Sequence, residues 1–433
     1  MKIHIKGGRL IDPKNGIDRV QDVYIAAGKI AAIGEAPKSY SANRTIDATN
    51  LVVCPGLVDL AVRLREPGFE YMATLESEMD AAIAGGVTSL ACPPDTDPPL
   101  DEPGLVEMLK FRAKTLNRAR VYPIGALTQG LQGARLTEMA ELRDSGCVAF
   151  SQADAPLTDH QVLFLAMQYA STFGFSVWLR PQDPALANNG VAHDGQVATR
   201  LGLPAIPVCA ETVALSIILL LARETGARLH LCRISSAEGL DMIKRAKADG
   251  LPVTCDIAIH HVHLSEMDIG YFDPNCRVLP PFRSDRDREA LRRALADGTV
   301  DAVCSDHTPV DEDAKQLPFS EAEPGTTGLE LLLPLTLKWS RESGLPLSTA
   351  ISRITSDSAR VLNVDAGHLS TGSAADICIF DADRYWKVTP AALISQGKNT
   401  PYMGYEVQGR VCYTVIDGQV VYEAGSREAV RHK

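Results

Sequence analysis

No stretch of this chain approaches the roughly 18 consecutive apolar residues that a membrane span requires, and no Cys-x-x-Cys pair occurs among its ten cysteines. Those cysteines (Cys54, Cys92, Cys147, Cys209, Cys232, Cys255, Cys276, Cys304, Cys378 and Cys412) are scattered singly, most among apolar neighbours. That is the pattern of reduced, buried thiols rather than of a disulfide framework. Basic charge is also short. With 43 Lys and Arg against 54 Asp and Glu, the net charge of -11 opposes general affinity for nucleic acid or acidic lipid. Internal repeats, low-complexity linkers, a phosphate-cradling glycine loop and a catalytic serine elbow are all missing. The first residues, MKIHIKGGRLID, lack the apolar core of a signal peptide, so a cytoplasmic protein is expected. What the chain does have, 45% apolar and 22% charged residues, suits one large core with a small appended domain.

Residues 1–55 alternate polar and apolar in short runs broken by Gly, Asn and Asp, the signature of antiparallel strands. The same pattern returns over 366–433, where Asp417-Gly418 predicts a tight turn. Two β-rich ends around a long middle predict one small composite β domain built from both termini. Between them, over 56–365, eight short apolar segments (GLVDLAVRL, VTSLAC, RVYPIGAL, CVAFSQ, FSVWLR, RLHLCRIS, PVTCDIAI and DAVCSDH) are mostly separated by helix-length crossovers. One crossover, AEGLDMIKRAKADG, sets Leu240, Ile243 and Ala246 on a single face. Eight such units predict an α/β protein with a (β/α)8 TIM barrel, in which function sits at the C-terminal ends of the strands.

Cys54 to Gly68, CPGLVDLAVRLREPG, holds a Leu-Arg-Glu-Pro-Gly run directly after the first barrel segment. In order there follow GGVTSLACPPDTDPP, GALTQGLQG, HLCRISSAEG, RVLPPFRSDRD, CSDHTP and TPYMGYEVQGRV. These motifs span nearly the whole chain and resemble the dihydroorotase branch of the cyclic amidohydrolases. The resemblance implies a metal-dependent hydrolase barrel opening or closing a cyclic amide, with one or two Zn²⁺ at the strand ends to activate water. It also implies where the ligands should stand. The first-strand His-x-His pair falls on Ala61 and Arg63, the bridging acid or modified lysine on Ala153 (or Gln152), and two further histidines on Arg180 and Arg233. Gln182 stands where an acid would be, and of the metal-binding set only Asp306 remains. Alanine has no donor atom, and a guanidinium is a permanent cation without a lone pair. No zinc and no catalytic residue is therefore expected, with Asp306 a vestige and the arginines expected to pair with Asp306 or Asp154.

Arg65 corresponds to the family's substrate-carboxylate arginine, but Asp95 and Leu279 replace asparagines that would help hold that substrate, which favours a structural Arg65. If metal is bound after all, the fallback set is His261, His263 and Asp306, since His261-x-His263 would put two imidazoles on one strand face. His230, and His307 beside Asp306, are expected in structural roles. The pattern is similar to that of pseudo-dihydroorotase subunits, which keep the barrel and assemble with aspartate transcarbamoylase in de novo pyrimidine biosynthesis. The resemblance thus implies a non-catalytic scaffold whose partner is the aspartate transcarbamoylase catalytic subunit, self-associating as a dimer inside a larger hetero-oligomer. Two alternatives stay open: an active dihydroorotase-, hydantoinase- or allantoinase-like enzyme with a rebuilt metal site, and a regulatory subunit sensing an anion through Arg63, Arg180 and Arg233.

Overall fold

The structure, a computed structural model, describes residues 1–425. The end of the C-terminal region predicted over 366–433, residues 426–433, lies outside the described residues. Eight parallel strands form the central sheet: β1 (Leu57–Asp59), β2 (Val87–Cys92), β3 (Arg120–Ala126), β4 (Ala149–Ser151), β5 (Ser176–Leu179), β6 (Arg228–Leu231), β7 (Val253–Ala258) and β8 (Ala302–Cys304). They are hydrogen-bonded in chain order, and each lies within one of the eight apolar segments. The barrel closes just past the strand ends, where Arg63 N–H donates to the His307 carbonyl (2.9 Å) and His307 N–H to that of Ala61 (3.0 Å). The strands are near-continuous apolar runs, as β2 with six buried residues shows, because helices and the barrel interior cover both faces.

The crossovers become helices for local reasons. Leu75–Ala84 starts at Thr74, whose hydroxyl accepts from Ser77 N–H (3.2 Å) while Ser77 reaches back to Thr74 N–H in a capping box. Ala237–Ala248 is capped by Ser236, and Leu240, Ile243 and Ala246 are its buried face. Strands from both ends of the chain share one sheet. Ile377–Lys387 pairs antiparallel with Val52–Pro55, which runs parallel to Arg9–Asp12. Asp417 and Gly418, both with positive φ (48° and 68°), turn Glu406–Ile416 into Gln419–Glu423 as the Asp-Gly pair predicted. A second, four-stranded sheet (Lys2–Lys6, Val23–Ala26, Lys29–Ile33, Arg44–Asp47) packs with these strands around Ile3, Ile25, Val53, Ile377 and Val415.

A buried carboxylate joins the barrel to the C-terminal segment. Glu78 accepts from Ser395 Oγ (2.6 Å) and Gln396 N–H (3.0 Å), and its Oε2 pairs with His307 Nε2 (2.5 Å). Three stretches of chain therefore meet at one side chain. Glu78→Ala should lower the unfolding free energy by about 3 kcal/mol, because His307 and Ser395 are left buried without their acceptor. Urea denaturation followed by circular dichroism measures this; a loss below about 1 kcal/mol would make the junction incidental.

Candidate functional site

The strand ends bring Ala61, Arg63, Ala153, Arg180, Arg233 and Asp306 to the C-terminal mouth of the barrel, where they surround Asp154. Arg180 follows β5 directly, whereas Ala153, Arg233 and Asp306 each lie two residues past a strand. Those three adopt positive φ (51°, 54° and 48°), a left-handed turn that costs a non-glycine residue roughly 1 kcal/mol and folds the chain end back over the barrel axis. Asp154 Oδ2 accepts from Arg63 Nη2 (2.7 Å), and its Oδ1 accepts from Arg233 Nη2 (2.5 Å) and from Arg180 Nε. Arg63 also donates through Nε to Asp95 (2.8 Å) and through Nη1 to Thr308 Oγ1 (2.9 Å). Asp306 Oδ1 accepts from Arg233 Nη1 (3.0 Å) and, at 3.4 Å, from Arg63 Nη1. Three guanidiniums thus interlock with three carboxylates.

The three arginine side chains are 5–7% exposed while Asp154 and Asp95 keep 28% and 25%, so water screens these pairs only in part. Burial pushes the Asp154 carboxyl up, but Arg233, Arg180 and Arg63 outweigh it and hold Asp154 well below the usual carboxylate range. Burial would lower the Arg63 guanidinium, yet Asp95 and Asp154 raise it. For Asp306 burial wins: its carboxyl stays raised although Arg233 and Arg63 pull it down. Asp154 is therefore the fixed anion of the cluster.

This donor set does not fit zinc. Ala61 has no lone pair, the arginines offer only N–H groups, and Asp306 Oδ1 already accepts two of them. Gln152 is turned away, accepting from Thr128 Oγ1 (2.9 Å) and donating to the Leu131 carbonyl (2.8 Å). Gln182 accepts from Arg180 Nη1 (2.6 Å). The fallback set does not assemble either. The chain leaves β7 at Ala258 and turns through a 3-10 helix over Ile259–Val262, so His261 and His263 share no strand face. His261 Nε2 lies 3.1 Å from the Pro280 carbonyl and His263 Nε2 2.8 Å from that of Leu335, each hydrogen-bonded away from Asp306.

One cluster escaped the sequence reasoning. His230, Cys232 and Asp256 present ligand-type atoms within 4.8 Å of one another, a grouping that the i, i+2 spacing of His230 in β6 and Cys232 just past its end could have signalled. They are already satisfied without an ion. His230 Nε2 meets Asp256 Oδ2 (3.0 Å), and the other Asp256 oxygen accepts from Arg233 N–H (2.6 Å). Burial and the Asp256 charge push the Cys232 thiol far above its ordinary value, so it is no thiolate ligand. Arg65, with φ 64°, donates through Nε to the Pro309 carbonyl (2.9 Å) and lies over the Phe69 ring, while Asp95 is bound to Arg63.

Residues 50–239 match the dihydro-orotase-like family and residues 197–421 the amidohydrolase family. A dihydroorotase-like protein of Pseudomonas aeruginosa is 45% identical over 423 residues, 98% of this chain and 100% of that protein. The chain belongs to the dihydroorotase-like amidohydrolases. Another member, a dihydroorotase of Geobacter sp. strain M21, is 40% identical over 425 residues, again 98% and 100% of the two chains. Among solved structures, the L-hydantoinase of Arthrobacter aurescens superposes with a TM-score of 0.88 at 26% identity, covering 98% of this chain and 96% of that one. A D-hydantoinase at 22% identity and TM-score 0.83 shares the fold. Within this cyclic amidohydrolase family, then, the barrel is retained and its mouth carries an arginine–aspartate lattice. No helix among the described residues is long and apolar enough to cross a membrane.

Asp154→Asn should destabilise the fold by about 3 kcal/mol, since three buried guanidiniums lose their shared anion; Asp95→Asn, serving Arg63 alone, should cost less, and chemical denaturation ranks the two. Burial lowers both His261 and His263 to about 4. The unfolded chain binds these protons below about pH 6.5 and the folded chain only near pH 4, so between those values their contribution to stability falls as pH falls. The double variant His261→Gln, His263→Gln should show a smaller drop in Tm from pH 7 to pH 4.5 than the unmodified protein; an equal drop would place these imidazoles in contact with water.

Proposed function

We propose that this chain is a non-catalytic member of the dihydroorotase-like family that serves as a structural and assembly subunit for aspartate transcarbamoylase in pyrimidine biosynthesis. The observation that carries the reading is the arginine–aspartate lattice. Arg63, Arg180 and Arg233 put fixed positive charge where the family chemistry needs metal-binding lone pairs, and Asp306, the remaining acid, is bound by two of them. The resemblance to dihydroorotases implies that this aspartate would also shuttle the proton, and two guanidiniums on Asp306 hold it poorly placed to reach a substrate. The aspartate transcarbamoylase partner follows from the likeness to pseudo-dihydroorotase subunits: a scaffold kept intact beside a rebuilt centre suits a protein selected for its fold and contacts. Anion sensing by the same three arginines has less support, because three aspartates already balance them.

The 40% identity to proteins called dihydroorotase in Geobacter favours a second reading, an active cyclic-amide hydrolase with another metal site. One preparation separates the two. Protein purified without chelator should contain far less than one zinc per chain by elemental mass spectrometry and show no dihydroorotate turnover with or without added zinc. Mixed with an aspartate transcarbamoylase catalytic chain from the same source, it should elute as one larger complex with raised carbamoyl-aspartate formation. Stoichiometric zinc with turnover would overturn the non-catalytic reading, and separate elution with unchanged activity would overturn the partner.

A further inference from the structure

Beside the arginine–aspartate lattice, with neither Arg65 nor Asp95 in its lining, lies a cavity of about 500 Å³. It is set between the ends of β4 and β5 and the helices His160–Phe173 and Val208–Thr225. One wall is aliphatic, formed by Leu157, Leu163, Leu179, Ile206, Ile217 and Ile218. The other carries Arg277, the residue that differs from every arginine of the lattice. Among the described residues no carboxylate pairs with Arg277: its Nε is buried without a partner, and the side-chain hydrogen bond it does make runs from Nη1 to the Val191 carbonyl at 3.5 Å. Burial alone sets its electrostatics and lowers it to about 10. Lys315, which donates to the Pro274 (3.0 Å) and Arg277 (3.2 Å) carbonyls, is lowered by burial to about 7 and supplies no counter-charge.

The acids that do line the cavity are engaged elsewhere. Asp154 is held by three arginines, and Asp183 caps the Pro184–Ala187 helix by accepting from Leu186 N–H (2.8 Å). A guanidinium whose desolvation no carboxylate offsets is an incomplete arrangement, and an anion entering from the cavity completes it with charge-assisted, two-point hydrogen bonds. A partly open cleft of this size, with aliphatic residues and one unmatched charge in its lining, has the character of a small-molecule site. One spare positive charge matches a carboxylate better than a phosphate monoester, which carries nearly two negative charges at neutral pH.

We propose that this cavity binds a small amphipathic monocarboxylate, its carboxylate on Arg277 and its apolar body against the aliphatic wall. The cavity shares Asp154 and Arg180 with the lattice, but the proposed carboxylate contact, Arg277, lies outside it and does not depend on whether the chain hydrolyses a cyclic amide, so its failure would leave the zinc and turnover results untouched. The test is isothermal titration calorimetry on the full chain with indole-3-acetate and its neutral isostere indole-3-acetamide. The acid should bind with a Kd below about 1 mM and the amide at least about tenfold more weakly, the ratio expected for one charge-assisted pair. Arg277→Gln should remove that preference and Arg277→Lys keep most of it. Ala214→Trp, placing a bulky ring in the cavity from the Val208–Thr225 helix, should abolish binding of both while leaving the circular dichroism and Tm in place. Undetectable binding of the acid, equal affinity for acid and amide, or unchanged acid affinity in folded Arg277→Gln or Ala214→Trp protein would each overturn the proposal.

Discussion

Asp154 is the point on which the barrel mouth depends. Three guanidiniums delivered by β1, β5 and β6 would repel one another in a setting where an unpaired charge costs several kcal/mol. A single carboxylate, three residues past β4, accepts from all three and is held ionised by them. Asp95 and Asp306 complete the balance from β2 and β8, so six of the eight strands are tied together across the axis by side chains as well as by the sheet. The lattice is a set of electrostatic cross-links placed where an open barrel mouth would otherwise be held only by loops.

The backbone had to be bent to make this possible. Arg65, Ala153, Arg233 and Asp306 all take left-handed conformations just beyond their strands, and Ala153 gains no visible side-chain interaction in return. Such strain persists where surrounding structure over-determines it. Packing and loop geometry constrain the fold at every strand end, whereas the chemistry of a side chain facing the mouth can change once no metal has to be held.

The same contrast separates the lattice from the cavity beside it. In the lattice every buried charge has an opposite at hydrogen-bond distance, so it asks for no further ligand. Around Arg277 the balance is left open, with aliphatic residues opposite, and a solute can supply what the chain does not. Rigidity and receptivity thus sit side by side on one barrel face, decided by whether acids were placed within reach of the arginines.

Much of this was legible in the amino-acid order. Alternation at both ends and eight apolar segments spaced by crossovers follow from short-range periodicity, and the two β-rich termini do share a sheet through Val52–Pro55 and Ile377–Lys387. Arginine or alanine at the metal-ligand positions was visible too, because Leu64–Gly68, His230–Cys232 and Ser305–Pro309 frame those positions with family motifs. Other features were not. The pairing of His261 and His263 on one face assumed that β7 continues past Ala258, but the chain turns there and spends each imidazole on a backbone carbonyl. Asp95 was legible as a replaced substrate residue, not as the partner of Arg63. The hub role of Asp154, the His230–Cys232–Asp256 cluster and the unmatched Arg277 depend on residues far apart in the chain and on a few tenths of an ångström at strand ends. The sequence by itself determined the elements, their order and which side chains lack metal-binding lone pairs, since these are local properties of residue type and spacing. Only the tertiary structure decided which charges are paired and which is left open, because pairing is a matter of distance across the barrel, and distance across the barrel is set by closure of the sheet.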